Sequence, residues 1–212
     1  GRPSPQFSNI DRGCSGAARY GIIFFIKRRD GRTNDCDSFH SKRAWGILGS
    51  AMATERPWFV IAGGGTGGHL YPGLAVAEAF RAVQPDLEVS VFGTPRAIDK
   101  RLTDDRGYEL VAQGVQPFTA KPWRWPGFLL AYRRAVQQAR SRFEARLPAV
   151  VLGLGGYAAA PAIVAAAKLG VPTAIFNPDA DPGRANRRLA PRVDRVFVQW
   201  EDTIRRFADR AS

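Results

Sequence analysis

"AGGGTGGHLYPG", residues 62–73, follows directly on the apolar run "WFVIA" (58–62) and runs into "PGLAVAEAFRAV" (72–83), whose apolar positions recur at helical spacing. Six of its twelve residues are glycine, and one is His69. Glycines at a strand-to-helix turn leave the backbone bare, so a phosphate or polar sugar can approach the amides and the positive end of the helix. Pro72 fits the first turn of that helix, where a missing N–H costs nothing.

Outward from this turn the same alternation repeats. Candidate strands are "WFVIA" (58–62), "EVSVF" (88–92), "YELVA" (108–112), "AVVLG" (149–153), "TAIF" (173–176) and "DRVFV" (194–198). Between them lie helical patterns at 72–83, 96–105, 127–146 and 160–170. Strand followed by helix, several times over, predicts an α/β fold: a Rossmann-like, doubly wound parallel sheet that binds ligands at the carboxyl ends of its strands.

The 212 residues, 45% of them hydrophobic, suffice for one domain with a real core. Apolar stretches break well short of the roughly 18 residues of a membrane span. "GIIFFIKRRD" (21–30) carries its charges on the wrong side for a signal peptide, and Cys14 and Cys36 fit neither a zinc spacing nor a disulfide framework. A cytoplasmic setting is expected. The net charge of +12 admits nucleic acid, anionic membrane or phosphorylated substrates, but no zinc finger, helix-turn-helix or aromatic RNA-binding strand is present. Nucleic acid is therefore not the expected partner. Residues 1–51 show no sustained period and are expected to be a poorly ordered extension. Met52, the sole methionine, reads as the natural start of the domain spanning 52–200.

Three readings of the glycine turn follow from its residues alone. Gly63, Gly65 and Gly68 satisfy GxGxxG, the dinucleotide pattern, yet the second strand ends in Phe92-Gly93 where an acidic ribose ligand belongs. A Walker loop fails, because His69 and Leu70 stand where Lys and Ser/Thr are needed. A turn whose glycines serve helix–strand packing and nothing more stays open.

The motifs as a set are more specific. "GGGTGGHLYPGLAVAEAF" resembles the first loop and helix of the MurG family, which transfers N-acetylglucosamine to the lipid-linked muramyl-pentapeptide precursor of peptidoglycan. "VVLGLGGYAAAPAIVAAAKLGVP" (150–172) is similar to the family's second glycine turn and helix, and "FNPDADPGRANRRLAP" (176–191) falls where the family has a HEQN-type loop. The resemblance covers about residues 56–200. It implies the N-terminal, acceptor-binding half of a GT-B enzyme with UDP-GlcNAc as donor substrate and no further cofactor or metal. Residues 201–212 would begin an interdomain linker helix, and this stretch by itself is expected to be inactive.

Roles are carried over on the matching positions. His69 is the candidate catalytic residue, either as the base that takes the acceptor's C4 hydroxyl proton or as a group that orients substrate; imidazole ordinarily titrates closest to neutrality. Thr66, Gly67 and Gly68 match the part of the loop that reaches the donor or its leaving diphosphate. Gly155, Gly156 and Tyr157 match the turn suited to the acceptor's pyrophosphate. Phe176, Asn177, Pro178 and Asp179 align with the HEQN-type loop and depart from it: the glutamate is lost and the final asparagine is aspartate. Asn177, Asp179 and Asn186 complete the expected substrate-binding set.

"KPWRWPGFLLAYRRAVQQAR" (121–140) joins interfacial aromatics, a short apolar patch and cations. Lys121, Trp123, Arg124, Trp125, Phe128, Leu129, Leu130, Arg133 and Arg134 suit a helix lying on an anionic bilayer, and a core-facing helix with a solvated basic side is the alternative. With the family resemblance, the expected place is the cytoplasmic face of the membrane, held peripherally. A non-catalytic docking subunit of a split transferase is the competing functional reading, and a dinucleotide-dependent oxidoreductase a more distant one.

Overall fold

Residues 56–65, 67–117 and 121–208 are described by a computed structural model, together with the backbone of one short antiparallel pair, Ile26–Lys27 with Thr33–Asn34. That pair is what the described residues contain of the 1–51 segment; the expectations of disorder there and of a start at Met52, and the role given to Thr66, fall outside them.

Six strands form one parallel sheet: β1 (Trp58–Ala62), β2 (Glu88–Gly93), β3 (Glu109–Ala112), β4 (Val150–Gly153), β5 (Thr173–Asn177) and β6 (Arg195–Val198). Their spatial order is β3-β2-β1-β4-β5-β6, with Ala62 of β1 in register with Phe92 on one side and Gly153 on the other. The chain winds from β1 outward to β3, then crosses back to β4 on the other flank of β1. The expected doubly wound sheet is present. Among the described residues its α-helices are α1 (Gly67–Val83), α2 (Ala97–Asp104), α3 (Trp125–Ala145), α4 (Ala159–Lys168), α5 (Arg184–Leu189) and α6 (Glu201–Ala208).

β1 is buried at all five residues because both of its faces are covered. Trp58, Val60 and Ala62 share a cluster with Ala139 and Phe143 of α3 and Ala162, Ile163 and Ala166 of α4. Phe59 and Ile61 point the other way, into a cluster with Leu70, Leu74 and Ala77 of α1 and Leu102 of α2. This two-sided burial is why the strand reads as an unbroken apolar run without alternation. Each large side chain so buried contributes about 1.5–3 kcal/mol.

One element differs from expectation. The first helix starts at Gly67, five residues before the predicted Pro72, so Gly67 and Gly68 form its first turn and Pro72 lies inside it. Leu70 and Leu74, both 0% exposed and one turn apart, drive this extension. Their burial outweighs the roughly 1 kcal/mol that each helical glycine costs against alanine. Pro72 removes one i→i−4 hydrogen bond, the one that would have reached the Gly68 carbonyl.

Candidate functional site

The point where the strand order reverses lies between β1 and β4, and in open α/β sheets the crevice outside the carboxyl ends at such a point is where ligands bind. Both glycine turns sit there, one after each strand, and they touch. A Cβ on Gly63 would stand 3.1 Å from Leu154 Cβ and 3.5 Å from the Gly155 carbonyl; a Cβ on Gly65 would stand 3.3 Å from the Tyr157 hydroxyl. Gly65 (φ +86°), Gly155 (φ +89°) and Gly156 (φ +72°) all hold backbone conformations that L side chains rarely adopt.

The sequence suggested that the amides of the first turn point into the crevice, but two of them are spent inside the protein. Gly63 N–H donates to the Phe92 carbonyl at 3.0 Å. Gly65 N–H donates to Asp99, at 3.0 Å to Oδ1 and 2.9 Å to Oδ2. What the turn offers a ligand is therefore the start of α1, with Gly67 and His69 half-buried and Gly68 exposed, beside the half-buried Tyr157. Such a surface suits an anionic or polar ligand held by backbone and helix dipole.

On the β5 side, Asn186 donates from Nδ2 to Asn177 Oδ1 at 3.0 Å, while Asn177 Nδ2 donates to the Asp179 carbonyl at 2.5 Å. Asn177 is 0% and Asn186 3% exposed. Asn177 thus spends its amide inside the loop, and Asp179 is the exposed member of the set. Gly155 passes so close that its Cβ would lie 2.9–3.0 Å from the Asn186 amide, and Asn186 Oδ1 has no hydrogen-bond partner among the described residues. Gln113, fully buried at the end of β3, ties that edge to the second turn by donating from Nε2 to the Ala158 carbonyl at 3.0 Å.

The loop after Asn177 is stitched to α6 from one helix face. Trp200 Nε1 donates to the Pro178 carbonyl at 3.0 Å, and Thr203 Oγ1 donates to the Asp179 and Ala180 carbonyls at 3.3 and 3.0 Å. Arg206 pairs with Asp181 at 3.4 Å, and Arg187 pairs with the same carboxylate at 2.6 Å. Desolvation raises the Asp181 carboxyl, but the charges and hydrogen bonds of Arg187 and Arg206 together outweigh it and hold the group below the ordinary range. Among the described residues, no three His, Cys, Asp or Glu side chains cluster as metal ligands would.

Residues 59–198 match the model of the glycosyltransferase family 28 N-terminal domain. The chain belongs to this family. It is 45% identical over 143 residues to the UDP-N-acetylglucosamine--N-acetylmuramyl-(pentapeptide) pyrophosphoryl-undecaprenol N-acetylglucosamine transferase of Clavibacter sepedonicus, a match covering 66% of this chain and 39% of the relative. The like-named protein of Bdellovibrio bacteriovorus is 38% identical over 150 residues, covering 70% of this chain and 42% of the relative. Among solved structures, Acinetobacter baumannii MurG superimposes with a TM-score of 0.58 at 27% identity, covering 69% of this chain and 42% of that one. The chain thus spans well under half the length of these relatives.

In this family 28 domain the aromatic-basic stretch lies on a short 3₁₀ turn (Pro122–Arg124) and the start of α3. The first ten residues of α3 include no buried side chain; the helix enters the core at Ala135, Ala139 and Phe143. Trp123 is 74% exposed, and Trp125, Leu129 and Leu130 are each about half exposed. Lys121, Arg124, Arg133 and Arg134 are exposed among them. Lys121 Nζ lies 5.9 Å from the centre of the Trp123 ring, and Phe128 stacks on Tyr132 at 6.3 Å. Among the described residues, no helix is long and apolar enough to cross a membrane.

Sequence reasoning missed Asp99, Thr94, Arg96 and Gly73. Thr94 and Arg96 belong to the β2–α2 turn and Asp99 to the first turn of α2, six residues beyond Gly93, where an acidic ligand was expected. Gly73 lets α1 lie against Leu154, whose side chain fills the place of a Cβ there. Pro-Gly at 72–73 reads locally as helix start, and nothing local reports that contact.

Proposed function

We propose that this domain is the acceptor-binding half of an inverting glycosyltransferase. The enzyme would move N-acetylglucosamine from UDP-GlcNAc to the C4 hydroxyl of the lipid-linked pyrophosphoryl muramyl-pentapeptide, the step from lipid I to lipid II in peptidoglycan synthesis. One observation carries the reading: the two glycine turns and the His69-bearing helix meet at the β1/β4 crevice, within the segment that matches transferases of that name.

In this mechanism His69 takes the proton of the acceptor hydroxyl as its oxygen attacks the anomeric carbon, and the bond to UDP breaks with its electron pair leaving on the diphosphate. Gly155, Gly156 and Tyr157 hold the acceptor's pyrophosphate, while Gly67 and Gly68 at the helix start face the donor's diphosphate. Thr66 belongs with them by resemblance. Asp179 and Asn186 line the sugar side, with Asn177 bracing them. UDP-GlcNAc is a substrate, and the donor half supplies most of its contacts.

The exposed tryptophans, leucines and cations at the start of α3 support a peripheral seat on the anionic cytoplasmic face of the membrane, where a lipid-anchored acceptor is found. Each Lys or Arg near such a surface adds about 1 kcal/mol. The test is transfer of labelled GlcNAc to the lipid acceptor by the complete enzyme that carries this domain. Formation of the disaccharide lipid supports the reading; binding of the lipid without transfer would favour a docking subunit of a split transferase.

A further inference from the structure

Asp99 is 0% exposed, and an isolated carboxylate is expensive to bury unless its oxygens are satisfied. Four hydrogen bonds satisfy it here. Besides the two from Gly65 N–H, Thr94 gives Oδ2 its N–H at 2.8 Å and its hydroxyl at 2.7 Å. The Cα of Gly64 lies so near that a methyl group there would overlap the carboxylate. Three residues earlier, Arg96 donates from Nη1 to the Gly65 carbonyl at 2.6 Å. Gly65 therefore has its N–H held by a side chain of the first turn of α2 and its C=O by one of the preceding loop, both more than thirty residues along the chain.

We propose that Asp99 is a positioning residue for the reaction: it fixes the first glycine turn, and thereby the start of the helix that carries His69, against the β1/β4 crevice. Three successive glycines have the widest backbone freedom of any sequence, and nothing within "GGG" selects the conformation observed. The carboxylate selects it, because one orientation of the Gly65 peptide brings the N–H onto both oxygens. Arg96 closes the other side of that residue. The helix leaves the turn two residues later, so a turn free to rotate shifts the helix start and His69 with it, and misplacement of a catalytic group by about 1 Å can cost on the order of 10² in rate.

The proposal rests on the transferase reading for its activity test and on the fold alone for its exchange test. In the complete enzyme, Asp99→Asn should lower kcat about 10- to 100-fold while KM for donor and acceptor stays within about threefold, the signature of misplaced chemistry with binding retained. Asp99→Glu keeps the charge but moves it by a methylene and should recover part of the loss. In the 212-residue chain, amide exchange across residues 62–70 should accelerate in Asp99→Asn while β4 and β5 exchange as before. Should Asp99→Asn fail to fold, Thr94→Val removes one donor and keeps the acid, and should show the same local pattern more weakly. Unchanged exchange at the turn, or acceleration spread evenly over the domain, overturns the proposal, as does a rise in KM with kcat intact. A complete wild-type enzyme that transfers no GlcNAc would refute the transferase reading, and the exchange comparison would still decide the role of Asp99.

Discussion

Asn186 on α5 and Asn177 at the end of β5 are joined amide to amide, Nδ2 to Oδ1 at 3.0 Å, directly beneath the second glycine turn. The pair couples the second glycine turn to the loop that carries Asp179. Asn186→Ala leaves Asn177 Oδ1 buried and unpaired, which costs about 1–3 kcal/mol. Thermal unfolding of the variant should show that loss as a melting temperature several degrees lower; an unchanged melting temperature would mean that water replaces the lost donor.

The glycines near the site should separate into two kinds. Gly155→Ala meets both a strained φ and the Asn186 amide, so it should destabilise by roughly 1–3 kcal/mol. Gly68 lies in a helix with nothing within 4 Å of its would-be Cβ, and Gly68→Ala should gain up to about 1 kcal/mol of stability. If that same variant binds substrate less well, bare backbone is needed there for ligand contact. Denaturant titration beside substrate-binding measurements distinguishes the two.

His69→Ala in the complete enzyme should lower kcat by about 10²–10⁴, the usual span of general base catalysis, with the acceptor KM little changed. A variant that keeps kcat and raises only the acceptor KM would make His69 a binding residue.

Changing Trp123, Trp125 and Leu129 together to serine removes three exposed apolar anchors at the start of α3. Sedimentation with anionic vesicles should fall even at low salt, where the cations still attract. Melting temperature should stay nearly constant, because none of the three is buried. Vesicle binding that survives the triple change puts the membrane contact elsewhere.

Desolvation raises the Asp181 carboxyl in the folded state, but Arg187 and Arg206 together outweigh it and hold it below the ordinary range, so the folded state binds its proton less readily than the unfolded chain. Its contribution is therefore complete above the unfolded value near 4 and is lost as pH falls through the lower folded value. Asp181→Asn should flatten the stability profile in that acid window and leave the neutral-to-alkaline part of its shape unaltered. Denaturation midpoints from pH 2 to pH 7 provide the comparison, and an identical acid limb in the variant would count against the Arg187–Asp181–Arg206 triad.

The parallel sheet type and the position of both glycine turns were legible in the sequence because they depend on local periodicity and on where glycine interrupts it, whereas the order of the strands is a finding of the structure. The run at 58–62 is apolar without alternation, as a strand covered on both faces must be, and the structure keeps the strands read at 58–62, 88–92 and 173–176 within a residue of their expected bounds. His69 was legible as the histidine beside the first turn, and the Trp123–Arg134 stretch as an aromatic-basic helix start.

Contacts across long separations were not. Asp99 looks like any acid in "RAIDKRLTDD" until the sheet sets the β2–α2 turn beside the first glycine turn, and then its carboxylate decides which way the Gly65 amide points. Helix α1 starts at Gly67, not at Pro72, because Leu70 gains more from the core than two glycines lose in helix propensity. Nothing local announces that Asn177 is held by Asn186, because only the return of α5 to the end of β5 brings the two amides together. Local sequence determines which backbone conformations are cheap at each position. Choosing among them at Gly64, Gly65 and Gly155 took groups from elsewhere in the chain, since a glycine by itself prefers none.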